Sequence, residues 1–501
     1  FRSLFARLKS FFSKSGSASQ TDMLFEETKK EEKILQSVDK IKLQECSIAL
    51  WLLDSDTPTP NLEDILRFAR TSDFDTAYEF IFKNLKEKNL DKVYQEVEAP
   101  IISVVAQMER HGILIDQKYF TELSHEYHKE LDKLTSNIYK MAGVEFNINS
   151  PKQLAEVLFE KMGMNPGKKK GASGNFSTKI SVLEELEEGN PIIGEIMKYR
   201  ELQKLLSTYI DVIPQMAGLD GRLHSKFVQN STTTGRFSSI DPNLQNLPIK
   251  SELGRRIRDG FVSDDGFVLS AFDYSQIELR VVAMLSGDKK MTSIFREGKD
   301  IHAGVASFVF GVPVDKVDKE MRRKAKVINF GIIYGMGVSA LRKNLGGSRE
   351  EAQKFYDNYF TQFSGVREYL ESVKEFAVKN RYTETLFGRR RYFPNINSKI
   401  PFLRAMAERT AINAPVQGTA ADIIKLAIRY ADEEIKKAGL ESDVHLVLQI
   451  HDELVYEIRE GVKDKAEKII QDAMESVLSK SYLKYKTDIP LVVHFGSGKN
   501  F

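Results

Sequence analysis

The sequence predicts an α+β fold whose sheet is assembled from segments far apart in the chain. Three observations lead there. GFVLSAFDYS, residues 266–275, is a strand-like run that delivers an aspartate near its end. HLVLQIHDELVYEI, residues 445–458, is a pair of apolar runs broken by His451, Asp452 and Glu453, the pattern of a hairpin with an unusually polar tip. Between them, residues 300–435 read as mostly helical, so the strands flank a long helical insertion.

Bulk properties set the limits. A chain of 501 residues exceeds one hydrophobic core and should divide into about two to four domains or subdomains. With 42% hydrophobic and 29% charged residues it has ample material for a core, and a net charge of +2 says nothing by itself about partners. The single cysteine, Cys46, excludes an intrachain disulfide framework and a multi-cysteine zinc site and fits a reducing compartment. No apolar run approaches the roughly 18 residues of a membrane span. The first twenty residues carry Arg2, Arg7, Lys9 and Lys14 and no acid, as transit peptides do, and the opening Phe1 points to a trimmed or processed fragment.

Taken in order, residues 21–95 are mixed: a charged stretch, the apolar IALWLL, a Pro-containing DSDTPTP, then helical-looking NLEDILRFA and AYEFIFKNL. Residues 96–215 carry long amphipathic helical runs, interrupted by PGKKKGASGN at 166–175. That loop holds Lys168, Lys169 and Lys170, which read either as a solvated surface or as a flexible cationic tip for phosphate. After the strand at 266–275, QIELRVVAML reads as an amphipathic helix; residues 444–495 read as strand, hairpin, helix and strand.

MRRKAKVINFGIIYGMG, residues 321–337, carries Arg322, Lys326, Phe330 and Tyr334 at intervals of four, hence along one helical face. Twelve residues at 1.5 Å each span roughly 18 Å, about the extended length of a nucleoside triphosphate: charge for phosphates, flat rings for sugar and base. An ordinary amphipathic helix explains most such patterns. Gly331 and Gly335 argue otherwise, since each costs about 1 kcal/mol inside a helix relative to Ala and so suggests close approach of a partner such as a base pair. Asp273 alone would be a cap more often than a ligand. Paired with Asp452 at another strand end, it gives the minimal scaffold for two divalent cations in phosphoryl transfer.

TTTGRFSSIDPNLQNLPI (232–249), DYSQIELR (273–280), RRKAKVINFGIIYG (322–335), RTAINAPVQGTAADIIK (409–425) and QIHDE (449–453) together resemble the ordered motifs of family A DNA polymerases, the bacterial DNA polymerase I type. The resemblance runs from about residue 92 to the end, near four-fifths of the chain. It implies a large-fragment-like right hand: a palm with an antiparallel sheet (216–299 and 405–501), helical fingers (300–404) and a helical thumb (96–215). Residues 1–95 would be a truncated, inactive remnant of a 3′–5′ exonuclease domain, because they contain no Asp-x-Glu, and Asp54 and Asp56 fall in a loop. A 5′ nuclease region is not expected.

By the same resemblance, Asp273, Asp452 and the Tyr274 carbonyl would hold two Mg²⁺ ions, with Mn²⁺ as a substitute, and Glu453 would assist. Arg322, Lys326 and His302 would meet the triphosphate, Lys326 also protonating pyrophosphate. Phe330 would stack on the incoming nucleotide, Tyr334 would sit beside the templating base, and Glu278, with Gln276 nearby, would exclude a ribose 2′-hydroxyl. Arg236, Gln245, Asn246, Arg409, Asn413, Gln417 and His451 would grip primer-template DNA, largely through the minor groove. Lys204 and the Lys168–Lys170 loop would hold backbone phosphates. The partners expected are primer-template DNA and dNTPs, without a membrane, for a monomer of bacterial cytoplasm near the nucleoid; an organellar or viral origin stays open. Two competing readings are a metal-dependent nuclease, which leaves the helix face at 322–334 unexplained, and a catalytically silent nucleic-acid-binding protein.

Overall fold

The computed structural model describes residues 39–165, 176–248 and 251–501. The basic first twenty residues and Lys168, Lys169 and Lys170 lie outside the described residues. The apolar IALWLL proves to be the last part of a helix, α1 (Lys40–Leu53), whose first turn is capped by Asp39 accepting from the Ile41 amide at 2.8 Å. α1 buries Cys46, Ile48, Leu50, Trp51 and Leu52, and two helices, Leu62–Ala69 and Phe74–Glu87, pack beside it. The described part of 1–95 is helix and turn without a strand.

Helix α2 (Ile102–His111) leads to α3 (Gln117–Ala142), which buries Phe120, Leu123, Tyr127, Leu131, Leu134 and Ile138. Those steps of three and four trace one apolar stripe, and α4 (Pro191–Leu205) packs on it. Each such side chain contributes about 1.5–3 kcal/mol on burial.

Four antiparallel strands form the central sheet: β1 (Phe267–Tyr274), β2 (Val444–Ile450), β3 (Glu453–Arg459) and β4 (Val493–Gly498), in the order β4-β1-β3-β2. The β1–β3 register is unbroken from Asp273 opposite Glu453 to Phe267 opposite Arg459, while β3 and β2 shift register between Val455 and Tyr456. Phe272, Leu454, Val455 and Tyr456 are buried along it.

Helix α5 (Ile277–Ser286) departs from the amphipathic expectation, for Ile277 through Met284 are all buried, Glu278 and Arg280 included. Arg280 can be enclosed because it donates to the carbonyls of Ser275 at 2.7 Å and Pro490 at 2.6 Å. The insertion continues through α6 (Ile301–Phe310) and α7 (Lys319–Ile333) to α8 (Pro401–Lys437), a 37-residue helix with Pro415 inside it.

The glycines of α7 also differ from expectation. The helix stops at Ile333; Gly335, at φ +65°, turns the chain out of it. A Cβ on Gly335 would lie 3.3 Å from the Arg409 backbone, so the close partner there is α8. At Gly331 it is the Met336 sulfur, 3.1 Å away. One apolar cluster connects Cys46 on α1 with Val493 on β4. Among the described residues no helix is long and apolar enough to cross a membrane.

Candidate active site

The tip of the β2–β3 hairpin is a two-residue turn, His451 and Asp452, closed by Ile450 opposite Glu453. Glycine or asparagine usually fills such a turn; here His451 adopts φ +52°, a strain of about 1–2 kcal/mol for a side-chain-bearing residue. The strain is held by a relay. Gln245 donates to Gln449 Oε1 at 2.9 Å, and Gln449 donates to the His451 carbonyl at 2.6 Å. A second strained residue, Gln276 at φ +52°, caps the start of α5 two residues after the end of β1.

Asp273 sits between two strand neighbours, Glu453 on β3 and His494 on β4. The Tyr274 amide donates to the Asp452 carbonyl at 3.2 Å, tying the hairpin tip to the end of β1. Burial, then the charge of Glu453, pushes the Asp273 carboxyl up to about 6, with His494 pulling the other way. Burial also lifts Asp452 to about 6; Glu278 and Asp273 add to that, and Arg236 opposes it. Glu453 is raised by burial and partly offset by Arg258, which lies 3.9 Å from it and over the Phe501 ring.

These carboxylates suit a hard cation. Asp452 is raised in part by the charge of Asp273, and Asp273 by that of Glu453, so a positive charge placed among these acids relieves their repulsion. Among the described residues no three or more His, Cys, Asp or Glu side chains form a metal cage. Asp273, Asp452 and the Tyr274 carbonyl are the oxygens a hard cation would use there, with its remaining positions open to water or ligand oxygens.

On α7, Arg322 and Lys326 are exposed, Phe330 is half-buried and Tyr334 is 44% exposed, while Ala325, Ile328, Asn329, Ile332 and Ile333 are buried on the other side. Arg322 is engaged by Asp300, the cap of α6, at 2.7 Å. His302 is buried; Asn329 Nδ2 lies 3.1 Å from its Nδ1 and the Phe330 ring leans against it. Burial lowers the His302 imidazole to about 4, so it is neutral at pH 7.

Tyr334 Oη donates to Glu278 Oε2 at 2.9 Å, and Arg236 donates to Glu278 Oε1. This links α7, α5 and the 232–249 segment at one carboxylate. Arg236, Gln245, His451 and Asp452 line one small cleft with Gln449 and Phe237. On α8, Arg409 is exposed and Asn413 and Gln417 are half-buried, with Asn413 Oδ1 a buried acceptor lacking a partner. The Asn246 carbonyl accepts from Tyr209 at 2.7 Å. Lys204 is exposed on α4, outside the cleft.

Sequence reasoning missed His494, Arg258, Asp300, Asn329 and Gln449. The imidazole of His494 in an otherwise apolar VVHF strand was a usable signal; Arg258 and Asp300 carried none.

A family model for DNA polymerase family A matches residues 117–501. The chain is 44% identical over 425 residues to the thermostable DNA polymerase I of Thermus filiformis, covering 85% of this chain and 50% of that protein. To DNA polymerase I of Pseudomonas aeruginosa it is 44% identical over 415 residues, covering 82% and 44%. The chain thus spans about half the length of the curated relatives it matches. Among solved structures, the polymerase domain of Pol1 from M. smegmatis, in complex with DNA primer-template and dNTP, superposes with a TM-score of 0.85 at 36% identity, over 91% of this chain and 81% of that one.

Proposed function

The chain belongs to DNA polymerase family A, and from that premise we propose that it is a template-directed DNA polymerase adding dNTPs to a primer 3′ end. The observation that carries the reading is that the ends of β1 and the β2–β3 hairpin bring Asp273 and Asp452 together, while Tyr334 shares Glu278 with Arg236, which lines the same cleft as Asp452. The solved neighbour's primer-template and dNTP are the ligand classes we assign here.

In this reading the primer 3′-oxygen attacks the α-phosphorus, the bond to the β-phosphate oxygen breaks, and pyrophosphate leaves. Asp273, Asp452 and the Tyr274 carbonyl would hold two Mg²⁺ ions, or Mn²⁺ in their place. When bound, such ions supply positive charge that makes the attacking hydroxyl more acidic and offsets charge on the leaving group. Glu453, steadied by Arg258, keeps a negative field beside them. Arg322 and Lys326 hold the triphosphate, which requires Arg322 to exchange Asp300 for phosphate oxygen. Lys326 gives a proton to pyrophosphate. His302, neutral, meets the triphosphate through its imidazole. Phe330 covers the nucleotide, Tyr334 borders the templating base, and Glu278, with Gln276 before it, leaves no room for a 2′-hydroxyl.

Arg236, Gln245, Asn246, Arg409, Asn413, Gln417 and His451 take the duplex, and Lys204 takes backbone phosphate. The unpaired Asn413 Oδ1 supports this, because a buried acceptor without a donor is costly until a ligand satisfies it. Residues 216–299 and 405–501 act as palm, 300–404 as fingers and 96–215 as thumb. The helical 39–95 region serves as support without proofreading.

Labelled primer-template incubated with Mg²⁺ and four dNTPs tests the reading. Extension is expected. Shortening would favour a nuclease, and retention without change a silent binding protein.

A further inference from the structure

Helix α8 presents a single face at positions 402, 406, 409, 413 and 417, spaced by four, three, four and four. The last three, Arg409, Asn413 and Gln417, are the assigned DNA contacts. The first two are Phe402, 69% exposed, and Met406, 54% exposed, with Ile400 at 57% just before the helix. Single exposed apolar residues are ordinary, but here three large ones cluster at one end of a nucleic-acid face.

Their place relative to the site is set by Gly335. The end of α7 rests on the Arg409 backbone, so Tyr334 and Arg409 are neighbours. From Arg409 back to Phe402 is seven residues, about 10 Å along the helix axis, or roughly three stacked bases.

We propose that Phe402 and Met406 form a stacking platform for the unpaired template bases that precede the templating position. The inference rests on the polymerase reading and extends it: Tyr334 borders the paired template base, Arg409 meets the backbone, and the next unpaired bases lie on the Phe402 ring over the Met406 side chain. Such stacking accepts every base, as copying any template requires, because each base has a flat face. The exposed face continues the assigned DNA contacts on the same helix, which favours nucleic acid over a second copy of this chain as its occupant.

Fluorescence anisotropy on primer-templates with no overhang, a three-nucleotide 5′ template overhang, and the same overhang made abasic tests it. For the wild type, overhang bases should tighten binding about tenfold over the abasic strand. Phe402→Ala should abolish the gain, Met406→Ala should reduce it, and Phe402→Trp should restore it, which a merely misfolded variant could not do. Equal affinity for base-bearing and abasic overhangs overturns the platform, as does a gain that survives in the double alanine variant. So does sedimentation showing a dimer that the double variant breaks. Primer extension without a base-dependent gain removes the platform alone. Failure to bind any primer-template removes the polymerase reading and the platform with it.

Discussion

Tyr334 Oη donates a 2.9 Å hydrogen bond to Glu278 Oε2, joining the end of α7 to the first turn of α5. Glu278 is 6% exposed and its other oxygen is occupied by Arg236, so the carboxylate is held from two sides. Burial and this acceptor push the Tyr334 phenol up to about 12, which keeps it a donor across the working pH range.

Removing that carboxylate should relax sugar selection. Glu278→Ala is expected to raise ribonucleotide incorporation strongly. Tyr334→Phe, which deletes one restraint worth about 1 kcal/mol, should lower discrimination about fivefold. The ratio of kcat/KM for dNTP and rNTP measures both, and an unchanged ratio in Glu278→Ala would sink the assignment.

Asp273→Asn and Asp452→Asn should each cost at least about a thousandfold in extension rate while leaving metal-free stability equal or higher. Both acids are raised to about 6, Asp273 by burial and the charge of Glu453, Asp452 by burial and the charges of Glu278 and Asp273, so neutralising either relieves roughly 1 kcal/mol, the shift being discounted for solvent exposure. Denaturation in chelator alongside extension assays checks the pair; a large loss of stability would assign them a structural role.

Glu98 is fully buried, paired with Arg389 and with Lys425 at 2.7 Å, and the Trp51 ring lies 5.0 Å from the Arg389 guanidinium and 5.2 Å from the Lys425 ammonium. Glu98→Ala leaves buried Lys425 without its carboxylate and Arg389 with Asp422 alone, and should cost about 3–5 kcal/mol, far more than an exposed pair. Urea denaturation reads it, and a change below about 1 kcal/mol would contradict the tight coupling of these elements.

His302 gives a pH dependence. Its folded value near 4 lies below the unfolded 6.5, so the unfolded state takes up more protons as pH falls. The stability this neutral histidine allows is complete above pH 6.5 and is lost as pH drops toward 4. Wild type should lose about 2 kcal/mol from this group between pH 7 and 5. His302→Gln should show a correspondingly smaller drop in denaturation midpoint; parallel curves would refute it.

The local elements of the candidate site are legible in the sequence. The hairpin at 445–458 announces itself by period and polarity, and the fourfold spacing of Arg322 to Tyr334 needs only one helix. What stayed hidden depends on contacts between distant segments. His494 becomes a neighbour of Asp273 only because β4 joins the far side of β1. The Glu98, Arg389, Asp422 and Lys425 group spans more than three hundred positions, as in the 327-residue separation of Glu98 and Lys425. The all-round burial of α5 was hidden too, since Arg280 is met by the Ser275 and Pro490 carbonyls and Glu278 by Arg236 and Tyr334.

The unbroken seven-pair register between β1 and β3 makes the sheet a gauge of length. An extra residue within β1 would bring Phe272 or Tyr274 to the station opposite Glu453, and the acids would no longer meet. The β2 side already carries an offset, between Val455 and Tyr456, so it can absorb a slip that the β1 side cannot. Insertions and deletions should therefore be tolerated unequally on the two flanks of β3. The inner flank behaves as a fixed scale and the outer one as an expansion joint.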